Sequence, residues 1–124
     1  MIMRPITPAD YNEINKWYHQ RNLEGVPSEQ LPAYGLMVPG VAASYLVQTD
    51  SKIAFIEGFI GNPAATKTQL YFAMEDIHAG LLKAAKEFGY KKVFIFTKHP
   101  TIVGTCEKNR YQAMGEMLIF SKEI

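Results

Sequence analysis

The stretch from Ile53 to Thr97 constrains the fold more than any other part of the sequence. Two apolar runs, Ile53 to Ile60 and Lys92 to Thr97, flank a segment with helical periodicity. In that segment Leu70, Ala73, Met74, Ile77, Leu81, Ala84, Ala85 and Phe88 form one apolar stripe. Thr66-x-x-Gln69 is a capping-box pattern at its start. Gly89 stands where a left-handed residue closes a helix. Asn62-Pro63 stops the first run. Strand, helix and strand in this order predict a crossover with its two strands parallel. The second run, Lys92-Val-Phe-Ile-Phe-Thr97, is almost unbroken in apolar residues, the pattern of a strand covered on both faces.

Upstream the period is different. Tyr34 to Val38, Ser44 to Thr49 and Ile53 to Ile60 are rich in β-branched and aromatic residues, with turns at Pro39-Gly40 and Asp50-Ser51. The second turn is short enough for a hairpin, so the strands beside it are expected to be antiparallel. Met1 to Thr7 reads as a first strand. Thr7-Pro8-Ala9-Asp10 then opens a helix with a cap, a proline at the first helical position and an acid that reaches back. Tyr11, Ile14 and Tyr18 share its apolar face, and Gly25 and Pro27 end it. Pro100 to Lys108 reads as a short helix and Glu116 to Ser121 as a final strand. The predicted order is β-α-β-β-β-α-β-α-β in one α+β domain spanning residues 1–124: a mixed, mostly antiparallel sheet flanked by helices.

The chain's 124 residues suffice for one core without disulfide or metal staples. Thirteen basic against twelve acidic side chains give a net charge of +1, which argues against a general basic-patch binder of nucleic acid or anionic membrane. One cysteine, Cys106, excludes an internal disulfide and a cysteine-based zinc site. The uncharged stretch from Leu31 to Thr49 is broken by Pro32, Gly35, Pro39 and Gly40 and is expected to fold as strands, not to cross a membrane. The N-terminus lacks the pattern of an export signal, so a cytoplasmic location is expected.

In element order and in three phrases the sequence resembles the Gcn5-related N-acetyltransferase (GNAT) superfamily over essentially its whole length. The phrases are Ile53-Ala-Phe-Ile-Glu-Gly-Phe-Ile-Gly-Asn-Pro63, then Ala85-Lys-Glu-Phe-Gly-Tyr-Lys-Lys-Val-Phe-Ile-Phe-Thr97, and Cys106-Glu-Lys-Asn-Arg-Tyr111, which is similar to the family's Tyr-Glu-Lys-Leu-Gly-Phe. The resemblance implies an acetyl-coenzyme A site between two splayed central strands. Backbone N–H groups of Ile60 and Gly61 would hold the thioester and pantetheine, while Asn62, Thr66, Lys67, Thr68 and Gln69 would surround the pyrophosphate at the long helix's start. Family enzymes carry an Arg/Gln-x-x-Gly-x-Gly/Ala loop there, whose glycines let backbone N–H groups close on the phosphates. This sequence has no glycine between Gly61 and Gln69. A reduced coenzyme A site and an ordinary well-capped helix both fit.

Two further residues acquire roles through the resemblance. Glu57 interrupts an apolar strand, sharing a face with Phe55 and Phe59 by alternation, where some family members keep the general base; an apolar neighbourhood would raise its pKa. The alternative is a solvated or ion-paired carboxylate. Gly58 next to it would permit the bulge that splays the strands. Cys106 replaces the tyrosine that protonates the departing thiolate. A thiol is capable of that, and a small packing residue is the other reading; Tyr111 could substitute only if the phrase shifts register. His19, His78 and His99 show no ligand or triad spacing, and His78 is expected to face solvent. Trp17, Tyr18, Tyr34 and Tyr45 are expected mostly as packing residues. The function expected is acyl transfer from coenzyme A to an amine, on a small molecule or a protein. The alternative is a catalytically silent binding or assembly module, acting as a homodimer or in a phage particle.

Overall fold

A computed structural model of the chain describes residues 2–97 and 99–124. Five strands form one sheet in sequential order: β1 (Arg4–Pro5), β2 (Tyr34–Val38), β3 (Ala42–Val47), β4 (Ile53–Gly61) and β5 (Lys92–Ile95). The first three pairings are antiparallel, and β4 with β5 is parallel, as the crossover requires. Three helices accompany the sheet: α1 (Tyr11–Gln20), α2 (Lys67–Glu87) and α3 (Pro100–Lys108).

Alternation along the strands splits the core between the sheet's two faces. Leu36 and Val38 of β2, Ala42 and Leu46 of β3, and Ala54 and Ile56 of β4 face α2, meeting Ala73, Ile77, Leu81, Ala84 and Ala85. Met37, Ala43 and Ile60 face the other way and pack on Ile14 and Trp17 of α1. The capping box of α2 forms as its sequence predicts: Gln69 N–H donates to the Thr66 hydroxyl at 3.1 Å, and Thr66 N–H to the Gln69 side chain at 2.9 Å. At the other end Gly89 takes φ +91. Before α1 a single 3₁₀ turn occupies Pro8–Asp10. The buried Asp10 carboxylate there binds both terminal nitrogens of Arg4 at 2.8 Å and accepts from Thr7 N–H at 2.8 Å and the Thr7 hydroxyl at 3.1 Å. Arginine holds the Asp10 carboxyl well below the usual carboxylate range.

Three expectations change. The first strand is only Arg4–Pro5, and Met1 lies outside the described residues. The run 92–97 is not covered on both faces: β5 ends at Ile95 on the sheet's outer edge, and Phe96 is 45% exposed. The final strand expected over residues 116–121 is absent. Those residues lie in irregular, exposed chain, because a strand exists only where its backbone groups find a ladder partner, and this segment meets none. The element order is therefore β-α-β-β-β-α-β-α.

Candidate active site

The site is made by a bulge. Ala43 faces Ile60 and Tyr45 faces Glu57 across the β3–β4 ladder, so β4 carries one extra residue between them. Gly58 sits in that interval at φ +70, a left-handed conformation glycine adopts without strain. Two hydroxyls pin it: Ser44 donates to the Glu57 carbonyl at 3.0 Å, and Tyr18 to the Gly58 carbonyl at 3.2 Å. The bulge also flips the alternation. Glu57 keeps the face of Phe55, but Phe59 turns to the α2 side, so Glu57 and Phe59 do not share a face.

Just before the bulge β4 and β5 part. Their pairing ends at Ile56 with Ile95, while β4 runs on to Gly61 and the chain after β5 turns away into α3. The gap is a cleft of about 260 Å³ that opens through the sheet. Ile56 to Phe59 and Ile95 to Thr97 form its sides; Met74, Ile77, His78 and Leu81 of α2 and Ile102, Thr105 and Cys106 of α3 form its floor. Its lining is mostly apolar, with a few polar groups converging from different elements, the usual make-up of a small-molecule site.

The structure brings Glu57 and Cys106 to this one cleft. Glu57 is exposed at its mouth, so the apolar enclosure expected around the carboxylate is not there. Cys106 is half-buried and unpaired, and burial pushes its thiol pKa up, so the sulfur stays protonated at neutral pH. Arg110 takes φ +63 where the family phrase has its glycine, just past the end of α3.

His78 differs from expectation. It is 7% exposed, not solvated, and its Nε2 lies 2.8 Å from the Tyr111 hydroxyl. Burial lowers the His78 pKa against the opposing charge of Glu75, and burial raises that of Tyr111. The pair therefore sits as neutral imidazole and phenol, with His78 on the cleft wall and Tyr111 behind it. The signal for it is the spacing: His78 follows Met74 by four residues and precedes Leu81 by three, which is the buried stripe of α2. Of the aromatic set only Tyr18 reaches the cleft. Trp17 and Tyr45 are core, and Tyr34 packs edge-on against Phe88 at 5.3 Å.

The residues expected around coenzyme A are not all in one place. Ile60 is buried against α1, and Gly61 packs against the Leu70 side chain, which would have to shift to admit a Cβ. The Gly61 carbonyl accepts from Arg21 at 2.8 Å. Asn62 binds the Gly40 carbonyl and caps a turn at Ala64; it opens on a separate hollow beside Glu13 and Lys16. At the start of α2 the Thr66 hydroxyl and the Gln69 N–H serve each other. The N–H groups of Lys67 and Thr68, in the same first turn, take no part in that exchange.

No protein-family model matches the sequence, and no curated protein is a significant match. Solved structures do match over nearly the full length. A Trypanosoma brucei acetyltransferase superposes with a TM-score of 0.72 at 12% identity, covering 98% of this chain and 99% of that one. An aminoglycoside acetyltransferase from an uncultured soil metagenomic sample, solved with sisomicin, gives 0.64 at 13% identity over 99% and 95%. A Mycobacterium tuberculosis protein solved in complex with coenzyme A gives 0.70 at 17% identity over 86% and 70%. At these identities the likeness establishes architecture alone. This chain has the Gcn5-related N-acetyltransferase fold.

Proposed function

We propose that the protein is an acyltransferase that moves an acetyl group from acetyl-coenzyme A to an amine, in the cytoplasm. The observation that carries this reading is the parting of β4 and β5 at the Gly58 bulge, which leaves an apolar cleft with Glu57 at its mouth and Cys106 on its floor. Acetyl-coenzyme A would supply the activated thioester. The chain's own groups do the rest. The cleft walls exclude water from the arm, and the free N–H groups at Lys67 and Thr68 meet the phosphates. Glu57 takes a proton from the incoming ammonium, directly or through water. Cys106 holds a proton at Sγ for the leaving sulfur, with the His78–Tyr111 pair beside it.

One observation favours a second reading, a coenzyme-silent binding or assembly module: the start of α2 is closed on itself by its own capping box. Thermal unfolding with acetyl-coenzyme A separates the two. Selective binding to the folded state at a hundredfold excess over Kd adds about 2.7 kcal/mol, a rise in Tm of roughly 10 °C in a domain of this size. Absence of any rise at millimolar acetyl-coenzyme A removes the acyltransferase reading. Where binding is seen, Glu57→Gln is expected to lower turnover and spare affinity. Equal turnover takes Glu57 out of the mechanism.

A further inference from the structure

The sheet carries three aromatic side chains that its core does not use. Val93 and Ile95 of β5 pack toward α2, so Phe94 between them turns to the opposite face, beside its register partner Phe55 of β4. Phe96 joins them just past the end of β5. Phe55 lies 5.8 Å from Phe94 and 5.6 Å from Phe96, and those two are 6.3 Å apart, with ring planes inclined by 27, 26 and 6°. None of the three belongs to either core cluster, because α1 rests on β2, β3 and the far end of β4. Phe55 and Phe94 are half-buried, and Phe96 is 45% exposed. Near-parallel rings left this open form a surface that a flat group can lie against.

This patch begins where the cleft ends. Phe96 and Glu57 both line the cleft. Glu57 also shares the face of Phe55, two residues or about 7 Å along the strand. The cleft floor, with Cys106, belongs to the α2 side, so a molecule reaching Glu57 from the other side lies across the rings. Charge is ordered along the patch as well. At one end the exposed Glu57 carboxylate makes no hydrogen bond or ion pair among the described residues. At the other, Lys92 holds its ammonium 5.3 Å from the centre of the Phe94 ring. An ammonium is therefore drawn to the Glu57 end, whereas a second cation laid on the rings meets Lys92 as a like charge. What fits between them is uncharged and flat, since an aromatic ring adds stacked and edge contacts that a saturated one lacks.

We infer that Phe55, Phe94 and Phe96 seat the acceptor, and that the acceptor is a primary amine joined by a short alkyl arm to an uncharged aromatic ring. Its nitrogen meets Glu57, its ring lies on Phe55 and Phe96, and the arm spans the distance between them. Phe94, with Lys92 over it, closes the far end. The inference rests on the acyltransferase reading for its chemistry, and adds to that reading a seat and a substrate class, not a step.

Two measurements keep the seat and the reaction apart. The first needs no coenzyme A: the full chain with isotope-labelled phenylalanine is titrated by NMR with 2-phenylethylamine and with its saturated counterpart, 2-cyclohexylethylamine. Saturable shifts at Phe55, Phe94 and Phe96 are expected, with a Kd roughly three- to tenfold lower for the aromatic amine. The second is acetylation at saturating acetyl-coenzyme A, where kcat/KM should keep that order and rank the polyamine spermidine below 2-phenylethylamine. Phe96→Leu and Phe55→Leu, which each replace a ring by an aliphatic side chain, should bring the two ring amines to within about twofold of each other. Each variant is judged by the ratio of two amines, so a loss of fold or turnover common to both cancels. Equal affinities in the wild type overturn the inference, as does a preference that survives both variants, or a preference for spermidine. If no amine is acetylated, the acyltransferase reading fails. The titration then decides the seat alone: tighter binding of the aromatic amine at the three rings upholds it, and no shift there overturns it.

Discussion

Gly58→Ala is the sharpest probe of the bulge. Gly58 has φ +70, where a side chain costs about 1–2 kcal/mol from its own backbone alone. A second cost comes from Tyr45. An alanine Cβ at position 58 would stand 3.2 Å from Tyr45 Cδ2, close enough that the ring must yield by a few tenths of an ångström. The ring has nowhere to go. Its other edge lies over Gly35, where a Cβ would be only 2.6 Å from Tyr45 Cδ1, so Tyr45 is clamped between two glycines. Crowding of this kind in a packed site costs about 1 kcal/mol or more. The expected total is roughly 2–4 kcal/mol, which lowers the urea midpoint by roughly 1–2 M. Gly40→Ala supplies the internal reference. Gly40 has φ +75 and no atom within 4 Å of its would-be Cβ, so it bears the backbone cost alone. The Gly58 variant must therefore lose about 1 kcal/mol more than the Gly40 variant. Equal losses would refute the clamp, and no loss at Gly58 would refute the left-handed bulge itself.

Other perturbations follow from the same geometry. The Tyr45 hydroxyl is buried without a partner, and burial pushes its pKa up to about 12. Tyr45→Phe should therefore leave stability unchanged or raise it by about 1 kcal/mol, read as a higher urea midpoint; a loss above that size means the hydroxyl has a partner. Asp10→Asn should cost about 2 kcal/mol, below the roughly 3–5 of a fully enclosed pair because Arg4 remains 41% exposed. The folded-state pKa of Asp10 is depressed, so its contribution is complete above the unfolded value near 3.9 and fades as pH falls below it. The variant should lose less stability than the wild type on acidification below about pH 4, and parallel curves would contradict the ion pair. Tyr111→Phe should cost about 1 kcal/mol in chemical unfolding by leaving His78 Nε2 without its partner. His78 is depressed by burial, so the stability linked to its neutral form is lost as pH falls below about 6.5. His78→Gln should flatten that part of the profile, and an unchanged slope would place His78 in water.

Features set by neighbouring residues were legible from the sequence. The two capping boxes, the Pro39-Gly40 turn and the Gly89 stop fix where elements begin and end, because each is a bond or a dihedral between residues close in the chain. The Gly58 bulge was legible because glycine beside an odd carboxylate breaks an otherwise uniform strand. What depended on distant partners was not. His78 reads as polar and therefore outward until Tyr111, thirty-three residues on, supplies a hydroxyl. Phe59 follows Glu57 by two and would share its face if the ladder were regular, and the extra residue in β4 denies that. Residues 92–97 and 116–121 have the composition of buried strands, but burial is a property of a pair of surfaces, and the single chain provides only one at each place. At the start of α2 the letters Thr66 to Gln69 look like a set of free donors, whereas half of them bind each other.

The central claim is that the parted strands form the coenzyme site. Titrating the isotope-labelled protein with coenzyme A, and following each backbone amide by NMR, tests it most directly. The account predicts saturable shifts at Ile56, Glu57, Gly58, Phe59, Ile95 and Phe96, with a second group at Lys67 and Thr68. Saturable shifts confined to other surfaces, with the amides of the bulge unmoved, would contradict it.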